Sequence, residues 1–538
     1  MRLRLALAAA VGLLTLLLPA PAAAQTTASH ACPGDLGAWR ATLNASWLDC
    51  HRVSDLTTTN NPYTDPNSLT GMGYPPPGSG TLNSKYTNPT TPAVAGLQLD
   101  GWFADDGCNA YQVEPALTAK NGAPFIPGCT PAPGGTCAAE CHHDAQFVIR
   151  IPDGWNGTLL SAGTPGIRDA FASDFIFSDY ALEKGWAYVS QDKGNMGANF
   201  YRDGPDETRC SRVAWCPGAA IEEWTYRMKQ ATAAARALLK GVAPAYGLKR
   251  LGRSYAAGIS NGGYQVRRAL ETDTTHLYDG GVDWEGTLFL PALPAGVKPA
   301  GPATGYNLFT YLPVSLAHQP GALAGDPAAV AALAAVGFNP ESQPLWAYHY
   351  GIYWGLTQKI YRLEMDPEYT AFTCSGLPGP PCASPPAEVV PPTDPDAAYD
   401  YAARLRQDPA LLARMRAVAN TGAIRRPLIT LQGDQDALLP TATDADLYSQ
   451  MVALSGRSAS YRYYPIRGGN HVDPQFDDHY GVDSYGDNLL RPILPCARAA
   501  IDALSAWVDA GTPPPPSHTV QRPAGASAAD LANVCSLA

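Results

Sequence analysis

From Ala145 onward, short apolar runs alternate with longer stretches in which apolar residues recur at helical spacing. Residues 146–151 and 158–162 read as strands around the turn Pro152-Asp153-Gly154-Trp155-Asn156-Gly157. Residues 174–184 read as a helix and 186–191 as a strand. Residues 221–239, rich in alanine, read as a long helix. A strand ending at Ile259, a helix over 264–271 and a glycine-bearing strand over 278–283 follow. The rhythm resumes with strands at 427–432 and 461–466 and helices at 443–455 and 490–508, the last stopped by Pro513 to Pro516. Such alternation predicts an α/β protein, a mostly parallel sheet with helices on both faces. Its ligands bind beyond the carboxyl ends of the strands.

Two segments break the rhythm. Residues 25–144 are rich in Asn, Thr, Pro, Gly and Tyr, and predict a loop-rich, disulfide-tied N-terminal extension packed on the main domain. Residues 287–425 carry Pro/Gly-rich loops and aromatic clusters, and are too long for a connection inside a compact fold, so they predict an inserted cap. The expected plan is therefore a leader at 1–24, the extension at 25–144, a core split between 145–286 and 426–538, and the cap between its halves.

Residues 1–24 have the form of a secretory signal peptide. Arg2 and Arg4 precede an apolar run over 5–18, and Ala22-Ala23-Ala24 forms a small-residue cleavage site. That run is shorter than the roughly 20 residues a membrane span needs, so a membrane anchor is not expected. Twelve cysteines fit an oxidising, extracellular or periplasmic destination. Local bridges are expected for Cys210 with Cys216, Cys374 with Cys382, and among Cys129, Cys137 and Cys141. Cys32 with Cys50 and Cys496 with Cys535 are looser pairings, and spacing leaves the connectivity open. The net charge is −11, and nothing basic is clustered, which excludes nucleic acid and anionic membrane surfaces as expected partners.

Gly258-Ile259-Ser260-Asn261-Gly262 fits G-x-S-x-G at a strand-to-helix turn, the setting that exposes a nucleophilic serine. A serine hydroxyl needs a base, and the base an orienting acid, so the expected chain order is Ser, Asp, His. Asp436, in the loop Gly433 to Pro440 after the strand 427–432, is the expected acid. Asp434 reads as a turn former bonding its own backbone, and Asp283 as a rival acid position. His471, after Gly468-Gly469-Asn470 beyond the last strand, is the expected base; His479 reads as a surface histidine. The oxyanion would meet the backbone N–H of Asn261. By its likeness to the H-G-x-P-G loop of hydrolases, Ala162-Gly163-Thr164-Pro165-Gly166 offers the N–H of Thr164 as second donor. No cofactor or metal is expected, since C-x-x-C knuckles are missing and Cys141-His142-His143-Asp144 reads as structural.

With those motifs in that order, residues 145–511 resemble the α/β-hydrolase superfamily. Pro152 to Gly157, and Trp507-Val508-Asp509-Ala510-Gly511-Thr512-Pro513 near the end, look like secreted tannase and feruloyl-esterase relatives. Those enzymes carry bridged cysteines beside the serine and histidine, where this chain has Ile259 and Val472. Ser260-Asn261-Gly262-Gly263 is similar instead to extracellular hydroxybutyrate-oligomer hydrolases. The resemblance implies a secreted serine esterase with an acyl-enzyme intermediate, acting on a small or oligomeric ester. Trp346, Tyr348, Tyr350, Tyr353 and Trp354 belong either to the cap's core or to an acyl pocket. A serine peptidase, with Glu222-Glu223 as a terminus clamp, and a non-enzymatic binding module are the alternatives.

Overall fold

Buried apolar runs pair into one nine-stranded sheet. In chain order the strands are β1 (Ala45–Val53), β2 (Gly96–Phe103), β3 (Ala145–Pro152), β4 (Thr158–Gly163), β5 (Ala187–Gln191), β6 (Arg253–Ile259), β7 (Gly280–Trp284), β8 (Leu428–Gly433) and β9 (Tyr461–Ile466). Across the sheet they lie in the order β1-β2-β3-β5-β4-β6-β7-β8-β9. The first three run antiparallel to their neighbours; the other six are mutually parallel. This is the α/β-hydrolase arrangement. The structure is a computed structural model that describes residues 30–58, 60–64, 92–103, 145–166, 170–194, 219–242, 250–366, 394–471 and 490–525, with a few shorter stretches.

Strand periodicity explains the two covered faces. Adjacent residues Leu159 and Leu160 of β4 are both fully buried but belong to different apolar clusters. Leu159 packs in the cluster with Ala231, Ala235 and Leu238 of the helix Ala219–Val242. Leu160 belongs to the cluster holding Ile501 and Leu504 of the closing helix Leu494–Ala510. Burial on both faces is why these strands read as continuous apolar runs instead of alternating ones.

The described part of the N-terminal extension is more ordered than expected. Its β1 and β2 join the main sheet, and every residue of β2 is buried. Polar residues such as Gln98, Asp100 and Arg52 disguise the pattern, yet each finds a partner. Gln98 Oε1 accepts from Asn61 Nδ2 at 2.7 Å and from Arg150 Nε at 2.9 Å. Arg150 also pairs with Asp174 at 2.6 Å, both side chains fully buried. Removing either partner would leave an uncompensated buried charge, a loss of about 3–5 kcal/mol. Cys32–Cys50 and Cys496–Cys535 are bridged; the remaining expected pairings, and residues 1–24, lie outside the described residues. Among the described residues no helix is long and apolar enough to cross a membrane.

The described part of residues 287–425, expected to form a cap with Pro/Gly-rich loops, is mainly helical. It includes helices Leu308–Leu323, Pro327–Val336, Gln343–His349, Gln358–Met365, Tyr401–Gln407 and Pro409–Val418. Proline opens two of these, where its missing N–H costs nothing. Pro313 and Pro320 lie inside Leu308–Leu323, which a reciprocal Asn307–Thr310 capping box and the burial of Phe309, Tyr311, Leu312 and Leu316 hold together. Trp346 and Trp354 are fully buried and meet Phe338 and Tyr311 at ring-centroid distances of 5.4–5.9 Å, so they are cap core. This helical segment is tied to the β8 and β9 loops. Asn339 Nδ2 donates to the Asp434 carbonyl at 2.8 Å, Gln435 Nε2 to Glu341 Oε2 at 3.0 Å, and Arg467 to both Glu341 and Asp434 at 2.8 Å.

Candidate active site

Four successive parallel strands deliver polar side chains to one rim of the sheet. Ser260 follows β6, Glu285 follows β7, Asp436 follows β8 and His471 follows β9. Ser260 has φ 58° and ψ −123°, a backbone conformation that costs on the order of 1–3 kcal/mol in a non-glycine residue. Neighbouring bonds hold it there. Its N–H donates to the Trp284 carbonyl at 2.9 Å, and its own carbonyl accepts from Tyr264 N at 3.0 Å. The helix Asn261–Thr272 starts directly after the serine, three residues earlier than the apolar spacing indicated. Gly262 lies so close to Gly163 that a Cβ would overlap the Gly163 carbonyl. That close approach sets the elbow against the tip of β4.

Asp436 and His471 come together at this rim. His471 Nδ1 and Asp436 Oδ2 are 2.8 Å apart, and both residues are buried. The carboxylate is fixed from every side: Oδ1 accepts from the N–H groups of Leu438 (2.7 Å) and Leu439 (2.8 Å), and Oδ2 from Gln432 Nε2 (2.8 Å). The two loops meet through glycines, since a Cβ on Gly433 would overlap the Gly469 carbonyl. Asp434 does not bond its own backbone. It accepts from Gly468 N and Arg467 of the β9 loop, both at 2.8 Å, and so splints the two loops together.

Asp283, the rival acid position, points into the core instead of the rim. It accepts from Arg267 Nε (2.5 Å), Thr430 Oγ1 (2.9 Å) and Gly286 N (2.8 Å). Glu285, two residues on, reaches the rim, and the sequence reading missed it. Its Oε2 is 3.3 Å from His471 Nδ1, and its Oε1 accepts from Gly433 N at 2.8 Å. Burial first, and the Asp436 charge second, push its carboxyl well above the usual range. The ligand atoms of Glu285, Asp436 and His471 lie within 4.8 Å of one another, the spread of a small cation site. The Nδ1–Oδ2 separation is nonetheless that of a made hydrogen bond, and we read the cluster as proton-linked.

The two expected oxyanion donors stand in different surroundings. Asn261 heads its helix, where a first-turn N–H lacks an intrahelical acceptor. The Thr164 N–H is already engaged, donating to Gln265 Oε1 at 2.7 Å. Lys193, also missed, is buried beneath this loop, with Nζ 3.4 and 3.3 Å from the carbonyls of Thr164 and Pro165 and in contact with that of Gly166. Its position two residues past β5, amid backbone carbonyls, left no pattern in the sequence. Glu222 and Glu223 do not form a clamp: Glu222 is exposed, whereas Glu223 is buried and paired with Arg227. His142, His143 and His479 lie outside the described residues, as does the side chain of Tyr348.

Among the described residues, the helical segment over 308–418 reaches the rim through Tyr361, Tyr353 and His349. Tyr361 Oη contacts Asn261 Nδ2, the Tyr353 ring lies 6.5 Å from the His471 ring, and His349 Nε2 is 3.4 Å from Asn470 Nδ2. Tyr350 is partly buried against the same core. Burial, reinforced by His471, pushes the His349 imidazole down to about 3. The folded chain therefore keeps His349 neutral while the unfolded chain binds a proton below about pH 6.5, so this group's stabilisation is lost as pH falls from 6.5 toward 3. His349→Gln is expected to remove that slope, sparing about 2 kcal/mol of the loss between pH 7 and pH 5. Urea denaturation of both proteins at the two pH values checks this; equal losses would reject it.

No known family model matches the chain. A D-(-)-3-hydroxybutyrate oligomer hydrolase of Ralstonia nicotianae is 32% identical over 113 residues, covering 21% of this chain and 15% of that protein. One from Ralstonia pickettii is 34% identical over 96 residues, covering 18% and 13%. The matched segment thus spans less than a fifth of the length of these curated relatives. Among solved structures, feruloyl esterase B from Aspergillus oryzae superposes with a TM-score of 0.47 at 15% identity, covering 88% of this chain and 90% of that one. The curated relatives are of the kind that the Ser260 to Gly263 motif resembles.

Proposed function

We propose that the chain is an exported carboxylic-ester hydrolase working through Ser260, His471 and Asp436. His471 Nε2 takes the Ser260 proton as the hydroxyl attacks the ester carbonyl. Asp436 holds Nδ1 as the protonated nitrogen and stabilises the imidazolium that forms. The tetrahedral oxyanion rests on the Asn261 amide. The Thr164 amide would join by exchanging its Gln265 acceptor for the oxyanion. His471 then returns the proton to the leaving alcohol, and water, activated by the same imidazole, releases the acid. The reading needs no cofactor.

The observation that carries it is the 2.8 Å Nδ1–Oδ2 hydrogen bond at the same sheet rim as a serine on a strained elbow. The Cys32–Cys50 and Cys496–Cys535 bridges support export to an oxidising compartment. The partial identity to hydroxybutyrate-oligomer hydrolases makes short hydroxyalkanoate oligomers the first substrate to try. Feruloyl, galloyl and simple aryl esters follow from the motifs. The test is a panel of these esters beside aminoacyl amides. Turnover of at least one ester class, with amides at least about 10²-fold slower, is the expected result. Faster amide cleavage would favour a peptidase, and no turnover with no fluorophosphonate adduct at Ser260 would refute the enzyme reading.

A further inference from the structure

Besides Asp436, a second carboxyl group faces the same nitrogen of His471. We propose that Glu285 is a positioning residue for His471, held as a neutral carboxylic acid beside the charged Asp436; this rests on the hydrolase reading above. Three observations carry it. Glu285 sits 3.3 Å from Nδ1 and is anchored at its other oxygen by the Gly433 N–H, so it joins the β7 tip, the β8 tip and the histidine loop. It is completely buried and occupies φ 54°, a conformation rare outside glycine, asparagine and aspartate. That conformation turns the chain after Asp283, which faces the core, and brings Glu285 to the rim.

The surrounding charges explain why it would be neutral. Glu285 faces Asp436 from the β8 loop and His471 and Asp473 from the β9 loop, with His349 approaching His471 from the cap. A single imidazolium can balance one carboxylate, not two, among buried side chains. Asp436 accepts three hydrogen bonds from Gln432, Leu438 and Leu439, besides the one to His471, which favour its charged form. Glu285 accepts one backbone N–H and stands against the Asp436 charge, so the proton resides on Glu285. A neutral carboxyl orients the imidazole through contact while adding no second charge to raise the base's pKa.

The test compares Glu285→Ala with Glu285→Gln, whose amide mimics a neutral carboxyl. The alanine variant is expected to lose kcat about 10- to 100-fold with KM within about twofold, and the glutamine variant to recover at least about tenfold of that loss. The acid limb of the kcat/KM profile should fall at the same pH in wild type and Glu285→Gln, within about 0.3 units. Were Glu285 ionised, removing its charge would lower the imidazole's pKa and move that limb to lower pH. A shift beyond about 0.5 units therefore overturns the proposal. So does an alanine variant that melts earlier but keeps wild-type kcat, since that marks packing alone. The His471 imidazole is also titrated by NMR in wild type and Glu285→Gln, which decides the charge of Glu285 even if Glu285→Ala does not fold. That readout needs no substrate. Failure of Ser260 to take a fluorophosphonate would sink the hydrolase reading separately.

Discussion

Ser260→Ala is expected to lower ester turnover by about 10⁴- to 10⁶-fold and to abolish fluorophosphonate labelling. The effect is large because the proposed mechanism makes the Ser260 hydroxyl the attacking atom, and its removal leaves only the proposed oxyanion donors and binding. Fold and stability should be nearly untouched, since alanine keeps the backbone at φ 58° and the Ser260 N–H to Trp284 bond does not involve the side chain. Ser260→Gly should be as inactive but more stable by about 1 kcal/mol, because glycine adopts that conformation without strain. Burst kinetics with a chromogenic ester and thermal melts test the pair. Residual turnover above about 1% of wild type in Ser260→Ala would place the nucleophile elsewhere.

Gly262→Ala comes next in expected effect. Its methyl group would overlap the Gly163 carbonyl, and backbone on both sides cannot yield as a flexible side chain would. The elbow must therefore retreat from the tip of β4, carrying Ser260 and the Asn261 amide with it. The expected cost is about 1–3 kcal/mol in stability. Labelling of Ser260 should slow by about 10²-fold, since a displacement near 1 Å is enough for that. Melting temperature and fluorophosphonate labelling rate measure the two separately. A destabilised variant that labels at the wild-type rate would show that this contact does not position the serine.

The parallel half of the sheet was legible because β4 to β9 are apolar on both faces and punctuated by glycine, proline and polar loops. Asp436 and His471 were legible for the same reason: each follows a strand in a loop whose glycines mark a close approach, Gly433 against Gly469. Other parts were hidden by long-range partners. In β2, Gln98 and Asp100 look like surface residues until Asn61, Tyr63 and Arg150 are brought against them. The cap helices were masked by Pro313 and Pro320, which tertiary packing overrides. Glu285 is hidden because Asp283, near the end of β7, is the first carboxylate there, and only the positive φ at 285 reveals which acid faces the histidine. The one local clue was Gly286, small beside a strand tip. Thr164 was chosen by its loop, but the partner of its amide is a glutamine a hundred residues away in sequence.

The web of Asn339, Glu341, Gln435 and Arg467 has a consequence for redesign. Because residues 287–425 and the loops bearing Asp436 and His471 share these bonds, that segment is not expected to be exchangeable as an independent module. A chimera that replaces residues 287–425 would lose the Asn339 bond to the Asp434 carbonyl and the Glu341 bonds to Gln435 and Arg467, and with them part of the bracing of the two loops. Altering selectivity by such grafting would therefore carry a penalty in rate unless Glu341 and Asn339 travelled with the graft.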